Sequence, residues 1–146
     1  MVRTIHTDLI SDTIREMCIE ANYFLPEDMS VCMRQASGRE QSPLGRKLLG
    51  QLQENLEIAA SERIPICQDT GMAVVFVKLG QDVHIEGGSL TDAINRGVRD
   101  GYTEGYLRKS VVKDPIEREN TGDNTPAVVH YEIVEGDKLD ITFAPK

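Results

Sequence analysis

The chain has 146 residues, 40% of them hydrophobic and 27% charged, with 24 acidic side chains against 16 basic ones and a net charge of −8. That length suits one domain with its own core, and the acidic balance argues against a nucleic-acid binder, which needs a basic face for phosphate. No apolar run approaches the ~20 residues that span a bilayer, and MVRTIHTDLI lacks the basic-then-apolar order of a signal peptide, so a soluble, cytoplasmic protein is expected.

The first sixty residues read as helices. Ile10, Ile14, Met17, Cys18 and Ala21 recur at three- and four-residue steps and mark an apolar face from Asp8 to Tyr23. Pro26 opens a second helix, whose Met29, Cys32, Met33 and Ala36 share a face until Gly38. Ser42-Pro43 is an N-cap followed by proline at the first helical position, and Leu44, Leu48, Leu52, Leu56 and Ala59 then build a third helix. Each stripe is expected to cover something that follows. Met72 to Val77, MAVVFV, reads as a strand buried on both faces, and Val83 to Ile85 as a weak strand. Ser89 with Asp92 opens a fourth helix, to about Tyr106. Val129, Tyr131 and Ile133 alternate, Gly136-Asp137 turn the chain, and Leu139, Ile141 and Phe143 alternate back, which predicts a C-terminal hairpin.

The fold class read from this order is α+β: N-terminal helices over about 1–63, then a small mixed sheet with one packed helix over about 64–146, all one domain.

Three cysteines, Cys18, Cys32 and Cys67, are an odd count without a CxxC pair, which argues against a disulfide framework or a zinc ribbon. Cys18 and Cys32 fall on apolar stripes and read as core. Gly97, Gly101 and Gly105 at four-residue spacing read as a groove for close packing. No GxGxxG or GxxxxGK[ST] phosphate loop occurs. His6, His84 and His130 show no ligand spacing.

The sharpest local feature is Ile66-Cys67-Gln68-Asp69-Thr70-Gly71, between a helix and the apolar strand. Cys67 has the chemistry of a ligand or nucleophile, Asp69 that of an acid, base or hydroxyl acceptor, and Gln68 that of an amide orienting a carboxylate. The same letters also spell a turn, with Asp69 bonding its own backbone and Gly71 at positive φ. Arg108, Lys109, Lys113 and Arg118 follow the fourth helix. They read either as a carboxylate-binding cluster or as solvated cations at a helix C-terminus. Glu119 to Pro126 has no apolar side chain and reads as a surface loop, ordering over a ligand or merely connecting.

Taken together, ICQDTG, Arg108-Lys109-Ser110, IERENTGDNTPA at 116–127 and the closing GDKLDITFAPK resemble the N-terminal part of class I, iron–sulfur fumarate hydratases, with L-tartrate dehydratase α subunits as close relatives. The resemblance covers nearly the whole chain. It implies a hydro-lyase that interconverts fumarate and malate, with a place in the tricarboxylic acid cycle. It also implies a [4Fe–4S] cluster held by three cysteines, one iron being left open to the substrate. By motif, Cys67 would be the first cluster ligand, and Gln68 and Asp69 would reach the C4-dicarboxylate. Asp69 would lie nearest the hydroxyl as the catalytic group, and Arg108 would pair with a carboxylate. Relatives continue past Lys146 into segments bearing the other two cysteines, and Cys18 and Cys32 match neither. This chain alone is therefore expected to hold no stable cluster and to be inactive, with the C-terminal portion or partner subunit of a homo-oligomeric enzyme completing it. L-tartrate dehydratase and a non-catalytic binding or assembly module are the alternatives.

Overall fold

The computed structural model describes residues 2–146. Its elements run β1 (Arg3–His6), α1 (Thr7–Tyr23), α2 (Glu27–Arg39), α3 (Pro43–Glu62), β2 (Ala73–Gly80), β3 (Val83–Glu86), α4 (Leu90–Glu104), β4 (Val128–Val134) and β5 (Leu139–Pro145). The α+β reading holds, and the helix starts follow from their caps. Ser42 Oγ accepts from Gly45 N–H with Pro43 in the first turn, and Ser89 Oγ accepts from Asp92 N–H. His6 Nδ1 caps α1 by accepting from Asp8 N–H.

The core lies between helices α1 and α4 and one face of a sheet. Ile10, Ile14 and Cys18 of α1 meet Ile94, Val98 and Tyr102 of α4, above Ala73, Val75 and Val77 of β2. The glycine stripe is what brings the helices together. A methyl group at Gly97 would sit 2.5 Å from the Ser11 carbonyl oxygen, and one at Gly101 would sit 2.7 Å from Cys18 Cβ. Glycine costs roughly 1 kcal/mol of helix propensity at each site, and the interhelical packing it permits offsets that.

The expected hairpin is a correction. β4 and β5 do not pair with each other; β2 lies between them, parallel to β4 (Val75 opposite Val129) and antiparallel to β5 (Val75 opposite Phe143). Gly136 does turn the chain, at φ +95°, but the link it makes crosses the end of β2. Gly80 N–H donates to Lys138 O at 2.8 Å and Asp82 N–H to Gly136 O at 2.9 Å. A side chain at Gly80 would strike the Gly136 carbonyl. Alternation along a strand reports which face is buried, not which strand is its neighbour.

Three further expectations are corrected, and one strand is added to those expected. β2 is buried on one face only. Phe76, on the other, is 45% exposed and stacks on His130 with ring centroids 5.0 Å apart. β1 was not foreseen, because four residues with one buried apolar side chain, Ile5, give no periodic signal; it pairs in parallel with β3 through Ile5 opposite Ile85. The stripes of α2 and α3 do not cover the sheet: α2 buries no residue and α3 only Ala59, while Leu44, Leu48 and Leu52 remain exposed. Cys32 is accordingly exposed rather than core, whereas Cys18 is fully buried as expected. The two helices pack on each other instead, with Met33 and Leu56 lining the cleft between them.

No helix among the described residues is long and apolar enough to cross a membrane.

Candidate functional site

The ICQDTG segment links α3 to β2 and is anchored at both ends. Ile66 N–H donates to Asn22 O at 2.9 Å, and Asn55 Nδ2 donates to Ile66 O at 2.9 Å, tying the entry to α1 and α3. At the exit, Met72 and Lys146 exchange both backbone hydrogen bonds. Between them the chain turns as the residue types require. Asp69 Oδ1 accepts from Gly71 N–H at 3.3 Å, and Gly71 adopts φ +65° where a side chain would strike the backbone of Lys146. The turn leaves Cys67, Gln68 and Asp69 all exposed. Asp69 N–H points at Cys67 Sγ, 3.5 Å away.

Arg108 arrives from the other side. Helix α4 closes with Leu107 N–H donating to Tyr102 O and with Tyr106 in the left-handed conformation, φ +51°. Two residues after Tyr106, Arg108 places its guanidinium Nη1 3.9 Å from Asp69 Oδ1. Both side chains are more than half exposed, so the pair itself contributes little stability. Its placement comes from below. Thr70, 4% exposed, accepts from Arg108 N–H at 2.8 Å and donates to Arg108 O at 3.2 Å through the same hydroxyl. Tyr102 OH donates to Thr70 O at 2.9 Å. Burial pushes the Tyr102 hydroxyl well above its usual range, so it stays protonated and donating.

The polar run after Arg118 is a largely exposed loop, as its composition suggests, but it buries Asn124, which that composition does not. It is laced to the segment after α4. Asn120 Nδ2 donates to Lys109 O, Thr121 N–H donates to Val111 O, and Lys113 pairs with Glu119. Asn124 is fully buried, at φ +62°, with Oδ1 accepting from Ser110 and Val111 N–H and Nδ2 donating to Gly71 O. Sequence reasoning missed Tyr102 and Asn124. An asparagine inside an eight-residue polar run reads as solvated, and only the fold reveals that it is enclosed.

Of the residues singled out, then, Cys67, Gln68 and Asp69 share one exposed turn, and Arg108 faces Asp69. Lys113 and Arg118 lie elsewhere on the loop.

The donor set tests an iron–sulfur group directly. Cys67 offers an exposed sulfur with a backbone N–H directed at it, a feature of cluster ligands. Cys18 is sealed between α1 and α4, and burial pushes its thiol up to about 12, so it is no thiolate. Among the described residues, no three His, Cys, Asp or Glu side chains gather into a set for a metal ion. The residues present fit one ligand position of a cluster and not a complete site.

The comparisons with known proteins agree with the motifs. A profile of the fumarate hydratase (Fumerase) family matches residues 11–146. A Methanocaldococcus jannaschii protein named "Putative L(+)-tartrate dehydratase subunit alpha" is 33% identical over 143 residues, which is 94% of this chain and 50% of that protein. The anaerobic class I fumarate hydratase of Escherichia coli is 40% identical over 98 residues, 66% of this chain and 18% of that enzyme. The L(+)-tartrate dehydratase α subunit of Escherichia coli is 28% identical over 120 residues, 80% of this chain and 39% of that subunit. The chain thus spans about half the length or less of these curated relatives. On the extent of the profile match, it belongs to the fumarate hydratase (Fumerase) family.

Proposed function

We propose that this chain is the N-terminal portion of an iron–sulfur hydro-lyase that interconverts fumarate and malate by reversible addition of water, acting in the cytoplasm as part of the tricarboxylic acid cycle. The observation that carries the reading is the meeting of Cys67, Asp69 and Arg108: a free sulfur, a carboxylate and a guanidinium, exposed together and held by a buried network.

Cys67 would hold one corner of a [4Fe–4S] cluster, which when bound supplies a Lewis-acid position for a substrate hydroxyl and carboxylate. The remaining cysteines and the general base would come from the C-terminal portion or a partner subunit, within a homo-oligomer. The chain's own residues then bind and orient. Arg108 presents paired N–H donors to a substrate carboxylate, a geometry that suits the planar anion. Gln68, exposed on the same turn, would add an amide N–H. Asp69 accepts the hydrogen of the substrate hydroxyl, or of the water to be added, at Oδ2, its Oδ1 being engaged by Gly71 N–H. The isolated chain is inactive on this reading, because one thiolate does not make a cluster site.

A second reading is an L-tartrate dehydratase subunit, favoured by the Methanocaldococcus jannaschii relative, which aligns with 94% of the chain. Turnover of malate, fumarate and L-tartrate by the complete, anaerobically reconstituted enzyme separates the two. Hydration of fumarate with no loss of water from tartrate supports the first reading; the reverse supports the second. Inactivity on all three sinks both.

A further inference from the structure

We infer that Asn124 is the positioning residue that sets Arg108 against Asp69. Its catalytic consequence rests on the dicarboxylate reading above; its structural half stands alone.

Asp69 and Arg108 sit on segments that are 39 positions apart in the chain and that meet at the surface. An exposed pair at 3.9 Å is too weak to fix its own geometry, so something beneath must do so. Thr70 grips the backbone of Arg108 from one side. Asn124 grips from the other, its one amide bonded to both segments. Its Oδ1 takes Ser110 N–H at 2.6 Å and Val111 N–H at 3.1 Å, while its Nδ2 gives a hydrogen bond to Gly71 O at 3.1 Å. Two N–H groups on one side and a carbonyl on the other fix which way the amide points.

No smaller or larger side chain does the same work. The residue is at φ +62°, a conformation that asparagine, aspartate and glycine adopt most readily. Glycine has no side chain to span the segments, and an ionised aspartate lacks the donor for Gly71 O. At 0% exposure no solvent replaces a lost bond. Asn124 touches no exposed face of the site, so its influence passes through the backbone carrying Asp69 and Arg108. Misplacing a guanidinium by a fraction of an ångström weakens a two-point grip on a carboxylate more than it alters the bond-making step.

The test uses the complete enzyme bearing Asn124→Asp, with Thr70→Val as a second variant that cuts the other strap and covers the case in which the first does not fold. Val98→Ala, in the α4 core, is the control for lost stability. The expected result is a KM for fumarate raised about tenfold in both network variants, with kcat within about threefold, and a KM unchanged in the control. An unchanged KM in folded Asn124→Asp, or an equal rise in the control, overturns the inference. If the wild-type enzyme hydrates no dicarboxylate, the functional reading has failed. The inference is then decided on this chain by ¹⁵N relaxation. Greater fast motion at Asp69–Gly71 in Asn124→Asp, with Val75 and Val77 unchanged, supports it, and unchanged order at the turn overturns it.

Discussion

Thr70 and Arg108 are joined at both ends of one residue: the Thr70 hydroxyl takes the Arg108 N–H at 2.8 Å and returns a hydrogen bond to the Arg108 carbonyl at 3.2 Å. The bonds hold main chain and leave the guanidinium exposed beside Asp69, where it can meet an anion. The exposed side chains can therefore be changed without loosening the scaffold, whereas a change in the scaffold should reach the site through the backbone it holds.

Asp69→Asn and Arg108→Ala should each leave thermal unfolding almost unmoved, because both side chains are largely solvent-exposed and their ion pair is worth well under about 1 kcal/mol. Hydration by the complete enzyme should fall by about 10²-fold or more in each. Calorimetry beside initial-rate assays checks this; a fall in the unfolding midpoint large enough to explain the activity loss would count against it.

Tyr106 should be replaceable with profit. It holds φ +51° at the end of α4 while its side chain is 88% exposed, so the ring packs on little that would be lost. Tyr106→Gly should stabilise the chain by about 1 kcal/mol, by relieving a bulky residue of the left-handed conformation. Urea unfolding measures it, and a destabilised variant would mean that the ring has a partner.

Gly101→Ala should destabilise by about 1–3 kcal/mol in spite of alanine's helix propensity. The added methyl would approach Cys18 Cβ to 2.7 Å and the Arg15 carbonyl oxygen to 2.8 Å, and such overpacking outweighs roughly 1 kcal/mol of propensity. A neutral or stabilised variant in the same unfolding assay would show that α1 yields.

Asp123 supplies an acid-sensitive component. Burial raises its pKa, but hydrogen bonds from the Thr125 hydroxyl and N–H, and the Arg99 guanidinium at 3.0 Å, outweigh this and hold the carboxyl at about 2 against an ordinary 3.8. A depressed carboxyl pKa contributes stability fully above the unfolded value and loses it as protons bind. The contribution should vanish between about pH 4 and pH 2, on the order of 1–2 kcal/mol. Asp123→Asn should unfold with a flatter dependence over that window, and an unchanged acid limb would dismiss the assignment.

Much of this was legible in the residues themselves. Caps at Ser42 and Ser89, the glycine stripe on α4 and the turn at Asp69–Gly71 follow from local chemistry, and local chemistry is what a sequence displays. What failed was neighbourhood. Nothing along β4 and β5 says that β2 passes between them, and nothing in the leucine stripe of α3 says that it meets no sheet. Asn124 was hidden for a related reason: its partners, Gly71, Ser110 and Val111, are scattered along the chain, and a polar residue looks solvated until the fold closes over it. The candidate site was visible as letters at Cys67–Asp69 and Arg108, but their meeting is a product of the tertiary structure.

Iron and acid-labile sulfide counted in the complete, anaerobically reconstituted enzyme, wild type beside Cys67→Ser and Cys32→Ser, put the central claim to its most direct trial. If Cys67 is one corner of the cluster, wild type and Cys32→Ser carry a full four-iron complement, and Cys67→Ser loses both the cluster signal and fumarate hydration. A Cys67→Ser enzyme that keeps its iron and its turnover would contradict the claim outright.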